Sequence, residues 1–146
     1  MKVKINELRD RMTNSLIKRG LDQRSVKSVV SAYVEAEIAG KKTHGIGKLF
    51  LLDKPIKDIL SGPELKKDKG NYAFIDGNKS LGHTTADLMV DILLDKVSKF
   101  DNAFVASTNS FYYSMLSVYA KRTADAGYVA IICAQETPHE VRTMRG

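Results

Sequence analysis

The chain has 146 residues, which is enough for one domain whose hydrophobic core needs no disulfide bonds. Hydrophobic residues make up 43% of the chain and charged residues 27%, an ordinary balance for a globular protein that excludes a low-complexity chain. The formal net charge is +6, but acidic residues lie among most of the lysines and arginines, and no known nucleic-acid motif accompanies them. We therefore expect a solvated surface of mixed charge with no nucleic-acid interface.

The N-terminal segment is charged and lacks the continuous apolar core of a signal peptide. The apolar runs further along are too short to cross a bilayer, so we expect a cytoplasmic protein with no membrane contact. The single cysteine, Cys133, lies in the apolar run at residues 128–134 and is expected to be a small buried hydrophobic residue.

Helical spacing dominates the N-terminal part of the chain. An apolar stripe predicts a first helix over residues 5–19, which Gly20 ends. Asp22 is a suitable N-cap for a second helix, which Gly40 ends. A third, shorter helix is predicted over residues 49–60. The apolar positions of the first two helices are Ile5, Leu8, Met12 and Leu16, and then Val26, Val29, Val30, Tyr33, Val34 and Ile38.

After about residue 70 the pattern changes to alternating strands and helices. The densest basic cluster, residues 66–69, precedes this part and is expected to be a solvated loop; the alternative is a basic binding module using Lys66, Lys67 and Lys69. The continuous apolar run at residues 128–134 predicts a strand buried on both faces. The other predicted elements are strands at 72–75 and 103–106, a turn at 76–77, and helices at 82–99 and 115–126.

A histidine and a lysine lie four residues apart directly after the second helix, in the segment Thr43-His44-Gly45-Ile46-Gly47-Lys48-Leu49. An imidazole can transfer a proton near neutral pH and an ammonium can bind a carboxylate, so this segment is the best candidate site in the chain. The other interpretation is structural, because cations at a helix C-terminus interact favourably with its last carbonyl groups. The spacing leaves both interpretations open.

Four sequence blocks occur in a familiar order: Ala36-Glu37-Ile38-Ala39-Gly40 with Thr43-His44-Gly45-Ile46; Asp76-Gly77 with Gly82; Asn109-Ser110 with Tyr119-Ala120; and Ala126-Gly127 before an apolar run with Thr137-Pro138. Together they resemble the N-terminal portion of the malate/L-lactate dehydrogenase family. That family is unrelated to the Rossmann-type lactate dehydrogenases and includes reductases of ureidoglycolate, sulfolactate and diketogulonate. The resemblance covers nearly the whole chain, whereas family members are more than twice as long.

The resemblance implies an α+β fold in which a helical region precedes strands and helices that form part of a mixed sheet. We expect the chain to hold only part of the family fold. Residues 1–66 would be the helical region on the substrate side, with dimer contacts. Residues 67–146 would begin the non-Rossmann cofactor-binding domain and stop short of its end.

The resemblance also assigns roles, and the sequence departs from the family pattern at some of them. Thr43 and His44 match the pattern, whereas Lys48 stands where the family has an arginine that grips the substrate carboxylate. A lysine keeps the charge but loses the planar bidentate fork. Tyr112 occupies the position of the family's proton-transferring histidine, and an unperturbed tyrosine titrates about three units above a useful acid–base group. A cation such as Lys48 or Lys121 could lower that pKa.

The resemblance thus predicts an NAD(P)-dependent oxidoreductase that interconverts a small 2-hydroxy acid and a 2-oxo acid, with NAD or NADP as cofactor. Glu136 stands where the family has an asparagine, and its charge would repel a phosphate-bearing dinucleotide. The predicted site consists of His44 and Tyr112 as catalytic residues, Thr43 and Lys48 as substrate contacts, and Asn109, Tyr119 and Thr137 as cofactor contacts, with no metal.

Loss of the family histidine and the short length favour an alternative for the isolated chain. It would be a truncated, catalytically inactive remnant or one half of a split enzyme. The expected partners are a small organic acid, and either a second copy in a dimer or a chain that carries the missing half. An apolar strand without neighbours would also leave an unpaired edge, so we expect association.

Overall fold

The computed structural model describes residues 3–59 and 61–135. Helices form the N-terminal part, and three strands alternate with helices after it, which confirms the α+β architecture expected from the sequence. The described elements, in chain order, are α1 (Ile5–Lys18), α2 (Gln23–Ile38), a 3-10 helix (Ile46–Leu52), α3 (Asp53–Asp58), β1 (Glu64–Lys69), β2 (Tyr72–Ser80), α4 (Gly82–Phe100), β3 (Phe104–Ser110) and α5 (Ser117–Asp125).

The first two helices begin and end where the sequence predicts. Gly20 ends α1 with a φ of +91°, in the left-handed region that glycine occupies at little cost. The carboxylate of Asp22 then caps α2, because it accepts the backbone N–H groups of Arg24 at 2.9 Å and Ser25 at 3.0 Å. The two helices pack on each other through the faces that the apolar stripes mark.

The main hydrophobic core lies between α1, α2 and the segments that follow them. Tyr33 of α2 is fully buried at its centre, and Leu81 brings the residue before α4 into the same cluster. The sheet part is thereby anchored to the helical part. The buried members of this core are Met12, Leu16, Leu21, Val26, Val29, Val30, Tyr33, Val34, Leu52 and Leu81.

Strand β2 is the middle strand of the sheet. It pairs antiparallel with β1 and parallel with β3, and α4 makes the connection between the two parallel strands. The sequence predicts a turn at residues 76–77, but β2 continues to Ser80. The pairing with β3 becomes irregular between Asp76 and Ser80, where Asn78 and Lys79 have φ values of 49° and 58°. The predicted turn is therefore a distortion inside a longer strand.

The basic segment at residues 66–69 was predicted to be a loop and is instead most of the edge strand β1. All six residues of β1 are exposed, so the strand carries no alternation of apolar and polar residues that could have indicated it. Its anchor is Lys96 of α4, which is only 5% exposed and donates to the Asp68 carboxylate and, at 2.8 Å, to the Gly70 carbonyl.

The prediction of a buried strand at residues 128–134 is wrong. Residues 128–135 have no regular secondary structure, and Val129 and Ile131 are 98% and 92% exposed. Cys133, expected to be buried, is exposed as well. An apolar strand forms only where neighbouring strands satisfy its backbone and neighbouring side chains cover its faces. No described strand pairs with residues 128–135, and no described side chains cover Val129 and Ile131.

The remaining helices differ from prediction mainly at their ends. The single helix predicted over residues 49–60 is a 3-10 helix followed by α3, and residue 60 lies outside the described residues. Pro55 falls in the first turn of α3, where its missing N–H costs no hydrogen bond. Helix α4 matches its prediction within one residue, and α5 is shorter by a few. None of the described helices combines the length and apolarity needed to span a membrane.

Candidate functional site

The segment after β3 carries Tyr112 and packs directly on the first turn of α4. Gly82 begins that turn, and a Cβ added there would lie 2.3 Å from the carbonyl oxygen of Phe111 and 2.7 Å from that of Tyr112. Only glycine leaves room for this approach of two backbone segments. Ser114 then turns the chain with a φ of 61°. The position of Tyr112 is therefore set by backbone packing against α4.

A hydrogen bond joins this segment to the histidine motif after α2. The Ser114 hydroxyl donates to the carbonyl oxygen of His44 at 3.2 Å, across 70 residues of sequence. The His44 amide donates to the Lys41 carbonyl at 2.8 Å, and the Thr43 hydroxyl lies 3.0 Å from His44 Nδ1. The structure thus brings the backbone of the histidine motif against the segment that carries Tyr112.

Glu37 fixes the turn that follows His44. Its carboxylate accepts the Ile46 N–H at 2.8 Å, and a Cβ on Gly45 would lie 2.2 Å from Glu37 Oε1. Lys48 is half-buried in the 3-10 helix that begins here, and its backbone N–H donates to the Gly45 carbonyl at 2.9 Å. Four of the residues in the motif Thr43–Lys48 are therefore held by backbone hydrogen bonds or by side chains of α2.

The end of α2 itself is closed by its own backbone. Gly40 has a φ of 69°, and the N–H of Lys41 donates to the Ala36 carbonyl at 2.9 Å. This is the hydrogen bond that closes a helix at a left-handed glycine. The structural interpretation of the motif, in which its cations satisfy the last carbonyl groups of α2, is therefore not needed to explain how this helix ends.

Three aromatic rings form a stack behind Tyr112, which we call the Tyr33–His83–Tyr112 stack. The rings of Tyr33 and His83 are stacked with centroids 5.3 Å apart, and the His83 and Tyr112 rings meet edge-on at 6.4 Å. Tyr33 and His83 are fully buried. Among the described residues, the Tyr33 hydroxyl and both His83 ring nitrogens have no hydrogen-bond partner. The apolar stripe of α2 predicts Tyr33 only as a core residue, and no sequence motif singles out His83.

Burial controls the ionisation of this stack. Loss of hydration lowers the pKa of His83 from 6.5 to about 4, so the imidazole is neutral at pH 7. Burial also raises the pKa of Tyr33, and the charge of an ionised Tyr112 raises it further. Both residues behind Tyr112 therefore stay uncharged around neutral pH. A histidine directly after a glycine at a helix start is the signal that could have drawn attention to this position.

The predicted cofactor contacts occupy different environments. Asn109 is exposed at the end of β3, with a φ of 56°, and its side-chain amide donates to the Asp76 carboxylate at 3.0 Å. Tyr119 is only 3% exposed, and its hydroxyl donates to the Tyr113 carbonyl at 3.3 Å. Burial raises the pKa of Tyr119. Thr137 lies outside the described residues.

A broad concavity of about 1990 Å³ lies between α4, β3 and residues 128–135. Asn109, Tyr112 and Tyr119 all line it, whereas Thr43, His44 and Lys48 do not. The structure therefore brings three of the predicted residues to one surface, and links His44 to that surface through Ser114. Within residues 3–59 and 61–135, no three histidine, cysteine or acidic side chains lie close enough together to hold a metal ion.

Comparison with known proteins identifies the family. The family model described as malate/L-lactate dehydrogenase matches residues 3–146. The chain belongs to the malate/L-lactate dehydrogenase family. This confirms the resemblance drawn from the four sequence blocks.

Individual relatives are distant in sequence. A malate dehydrogenase of Pyrococcus abyssi is 26% identical over 140 residues, which cover 91% of this chain and 38% of the relative. A 2,3-diketo-L-gulonate reductase of Escherichia coli is 24% identical over 135 residues, covering 90% of this chain and 41% of the relative. The chain thus spans about two fifths of the length of these curated relatives.

Solved structures share the fold. The malate dehydrogenase of Pyrococcus horikoshii aligns with a TM-score of 0.82 at 24% identity, over 87% of this chain and 38% of that chain. The sulfolactate dehydrogenase of Methanocaldococcus jannaschii aligns with a TM-score of 0.78 at 20% identity, over 86% of this chain and 38% of that one. This family member therefore keeps the family fold in the part that it shares with them.

The close approach at Gly82 generates a first prediction. Gly82→Ala should lower the free energy of unfolding by about 1–3 kcal/mol, because two backbone carbonyls must move to admit the methyl group. Urea denaturation measures the change. Gly47→Ala is the matched control, since nothing lies within 4 Å of an added Cβ there. Equal stability of the two variants would contradict the packing described for this segment.

Burial of neutral His83 predicts an acid-dependent loss of stability. Its folded pKa of about 4 lies below the unfolded value of 6.5, so its contribution is complete above pH 6.5 and is lost as the pH falls towards 4. The shift corresponds to about 3 kcal/mol. Denaturation at neutral and acidic pH should show a smaller loss for His83→Phe than for the unsubstituted chain. Tyr33→Phe keeps the imidazole and should retain the larger loss.

Proposed function

We propose that this chain is an NAD(P)-dependent oxidoreductase that interconverts a small 2-hydroxy acid and the corresponding 2-oxo acid. Family membership supports the reaction class, because the relatives named above are dehydrogenases or reductases of small organic acids. The observation that carries the proposal for this chain is the hydrogen bond from Ser114 to the His44 carbonyl. It ties the two motifs with assigned roles together across the core.

Each predicted site residue has a separate role in the proposed reaction. Lys48 binds the substrate carboxylate as a point charge and Thr43 contacts the substrate beside it, while the His44 imidazole is a catalytic group able to transfer a proton near neutral pH. The contact between the Thr43 hydroxyl and His44 Nδ1, at 3.0 Å, restrains the imidazole orientation. Tyr112 gives its phenolic proton to the oxygen of the 2-oxo acid during reduction and takes it back during oxidation.

A nicotinamide cofactor, when bound, supplies the hydride that adds to the carbonyl carbon. The concavity beside Tyr112 suits a dinucleotide, because Lys57 and Lys79 line it and could meet the diphosphate, although Asp58 and Asp101 line the same surface. Asn109, exposed at the end of β3, would contact the cofactor directly. Buried Tyr119 would act by holding the Tyr113 carbonyl, and Thr137 completes the proposed set.

Cofactor binding and turnover test this function. The chain should quench or shift the fluorescence of NADH or NADPH in a saturable manner, and it should oxidise the bound cofactor slowly with a 2-oxo acid such as pyruvate or oxaloacetate. Tyr112→His should raise kcat by about 10-fold or more, because an imidazole titrates near the working pH. Absence of saturable binding of either nucleotide would refute the proposal for this chain.

The matched control for that substitution is Tyr72→His. Tyr72 begins β2 and is 38% exposed, and it is not among the residues that line the concavity. Its replacement should leave kcat unchanged. A gain of the same size in both variants, or no gain in Tyr112→His, would contradict the role assigned to Tyr112.

A second candidate is a chain that works only in association, either as a dimer or with a polypeptide that supplies further parts of the family fold. Two observations favour it. The apolar residues Val129 and Ile131 are almost fully exposed, and among the described residues no strand pairs with the outer edge of β3. Exposed apolar runs and open strand edges are typical of association surfaces.

Association should therefore be measurable by light scattering. The chain should form dimers or larger species, and the double variant Val129→Lys, Ile131→Lys should shift it towards the monomer because charges on the contact surface repel each other. Ile38→Lys, at a single exposed apolar residue of α2, is the control and should leave the association unchanged. A monomer at every concentration would refute the dimer and count against the second candidate as a whole.

A further inference from the structure

We propose that His83 is a positioning residue for Tyr112, donating its imidazole N–H to the Tyr112 oxygen when that phenol gives up its proton. The inference rests on the proposed function, because it concerns the residue to which that function assigns proton transfer. It adds a residue that neither the sequence motifs nor the family relationship assigns.

The geometry of the Tyr33–His83–Tyr112 stack is the first argument. His83 is held on one side by the Tyr33 ring and meets the Tyr112 ring edge-on at a centroid distance of 6.4 Å. Tyr112 lines the concavity, whereas His83 is fully buried behind it. The backbone of Tyr112 cannot retreat, because its carbonyl already packs against Gly82. A small side-chain rotation of Tyr112 is therefore the available movement, and hydrogen bonds of this kind commonly tighten only in the substrate complex.

The unused nitrogens of His83 are the second argument. Neither forms a hydrogen bond to a described residue, although both are buried. A buried polar atom without a partner destabilises a fold, and such atoms are rare enough that each requires an explanation. A phenyl ring in this place would fill the same space without that penalty. A partner that the nitrogen meets only during the reaction accounts for the imidazole.

The charges around the stack are the third argument. Neutral His83 has one N–H donor, and a donor directed at a phenolate favours the ionised phenol. Tyr33 of α2 stays protonated around neutral pH because burial and the charge of Tyr112 both raise its pKa. From α5, buried Tyr119 interacts electrostatically with Tyr33, and Asp87 and Arg122, which also act on Tyr119, pair with each other at 2.7 Å.

The proposed step balances without a further reactant. During reduction, the Tyr112 O–H bond breaks and its proton moves to the carbonyl oxygen of the 2-oxo acid; a bound reduced nicotinamide would supply the hydride for the carbonyl carbon. The His83 N–H donates to the phenolate that remains but keeps its own proton. Tyr112 then regains a proton from solvent through the concavity that it lines.

The test is a tyrosinate titration that needs no cofactor and no turnover. The phenolate absorbance of the full chain is followed with rising pH, and the Tyr112 component is obtained by subtracting the curve of Tyr112→Phe in each background. His83→Phe keeps the ring but removes the N–H, and should raise the Tyr112 midpoint by about one pH unit. His83→Gln restores an N–H and should return the midpoint towards that of the unsubstituted chain.

Tyr113→Phe is the control. Tyr113 is the neighbouring tyrosine, bonded through its hydroxyl to Ser107 at 3.0 Å, and its loss should leave the Tyr112 midpoint unchanged. Circular dichroism at each pH shows that the variants remain folded. A Tyr112 midpoint that is no higher in His83→Phe than in the unsubstituted chain overturns the proposal, as does an equal shift in His83→Gln and His83→Phe. Because cofactor binding and turnover are measured separately, failure of the proposed function is distinguished from failure of this role.

Discussion

The first turn of α4 is the place where the helical part, the sheet and the segment that carries Tyr112 meet. Leu81, just before it, belongs to the main core, and Gly82 admits two carbonyl groups of that segment into contact. Hydroxyl groups complete the junction, since Thr84 donates to Ser25 of α2 at 3.1 Å and Ser110 of β3 donates to Thr85 at 3.0 Å. Any change that moves this turn moves all the surrounding elements together.

Ion pairs at the periphery hold the outer elements to the same helix. Arg122 of α5 donates to Asp87 and Asp91 of α4 at 2.7 and 2.8 Å, and Lys96 ties α4 to the β1–β2 hairpin through Asp68. Partly exposed pairs contribute little stability individually. Their consequence here is orientation, because they fix where α5 and the hairpin lie on α4. The concavity that α4, β3 and the following segment form depends on that orientation.

Only some residues of the candidate site can be identified from the sequence. Thr43, His44, Lys48 and Tyr112 could be singled out because each stands at a motif position with recognisable chemistry. His83 has as its only local signal the glycine before it at a helix start, which does not indicate burial or contacts. Its environment arises from Tyr33, fifty residues earlier in the chain, and from the backbone that follows β3. Burial and missing partners are properties of the packed structure.

The fold divides in a similar way. Apolar spacing, Asp22 and the stop glycines determined α1, α2 and α4, because helix formation depends on residues that are near each other in sequence. The ordered blocks also determined the family. Strands depend on partners that are distant in sequence, and there the local pattern failed. The polar segment at residues 66–69 became β1 through pairing with β2, whereas the most apolar run, residues 128–134, pairs with no described strand. Only the tertiary structure decided which residues surround Tyr112, because backbone approach at Gly82 and ring contact at His83 require both sides of each contact to be in place.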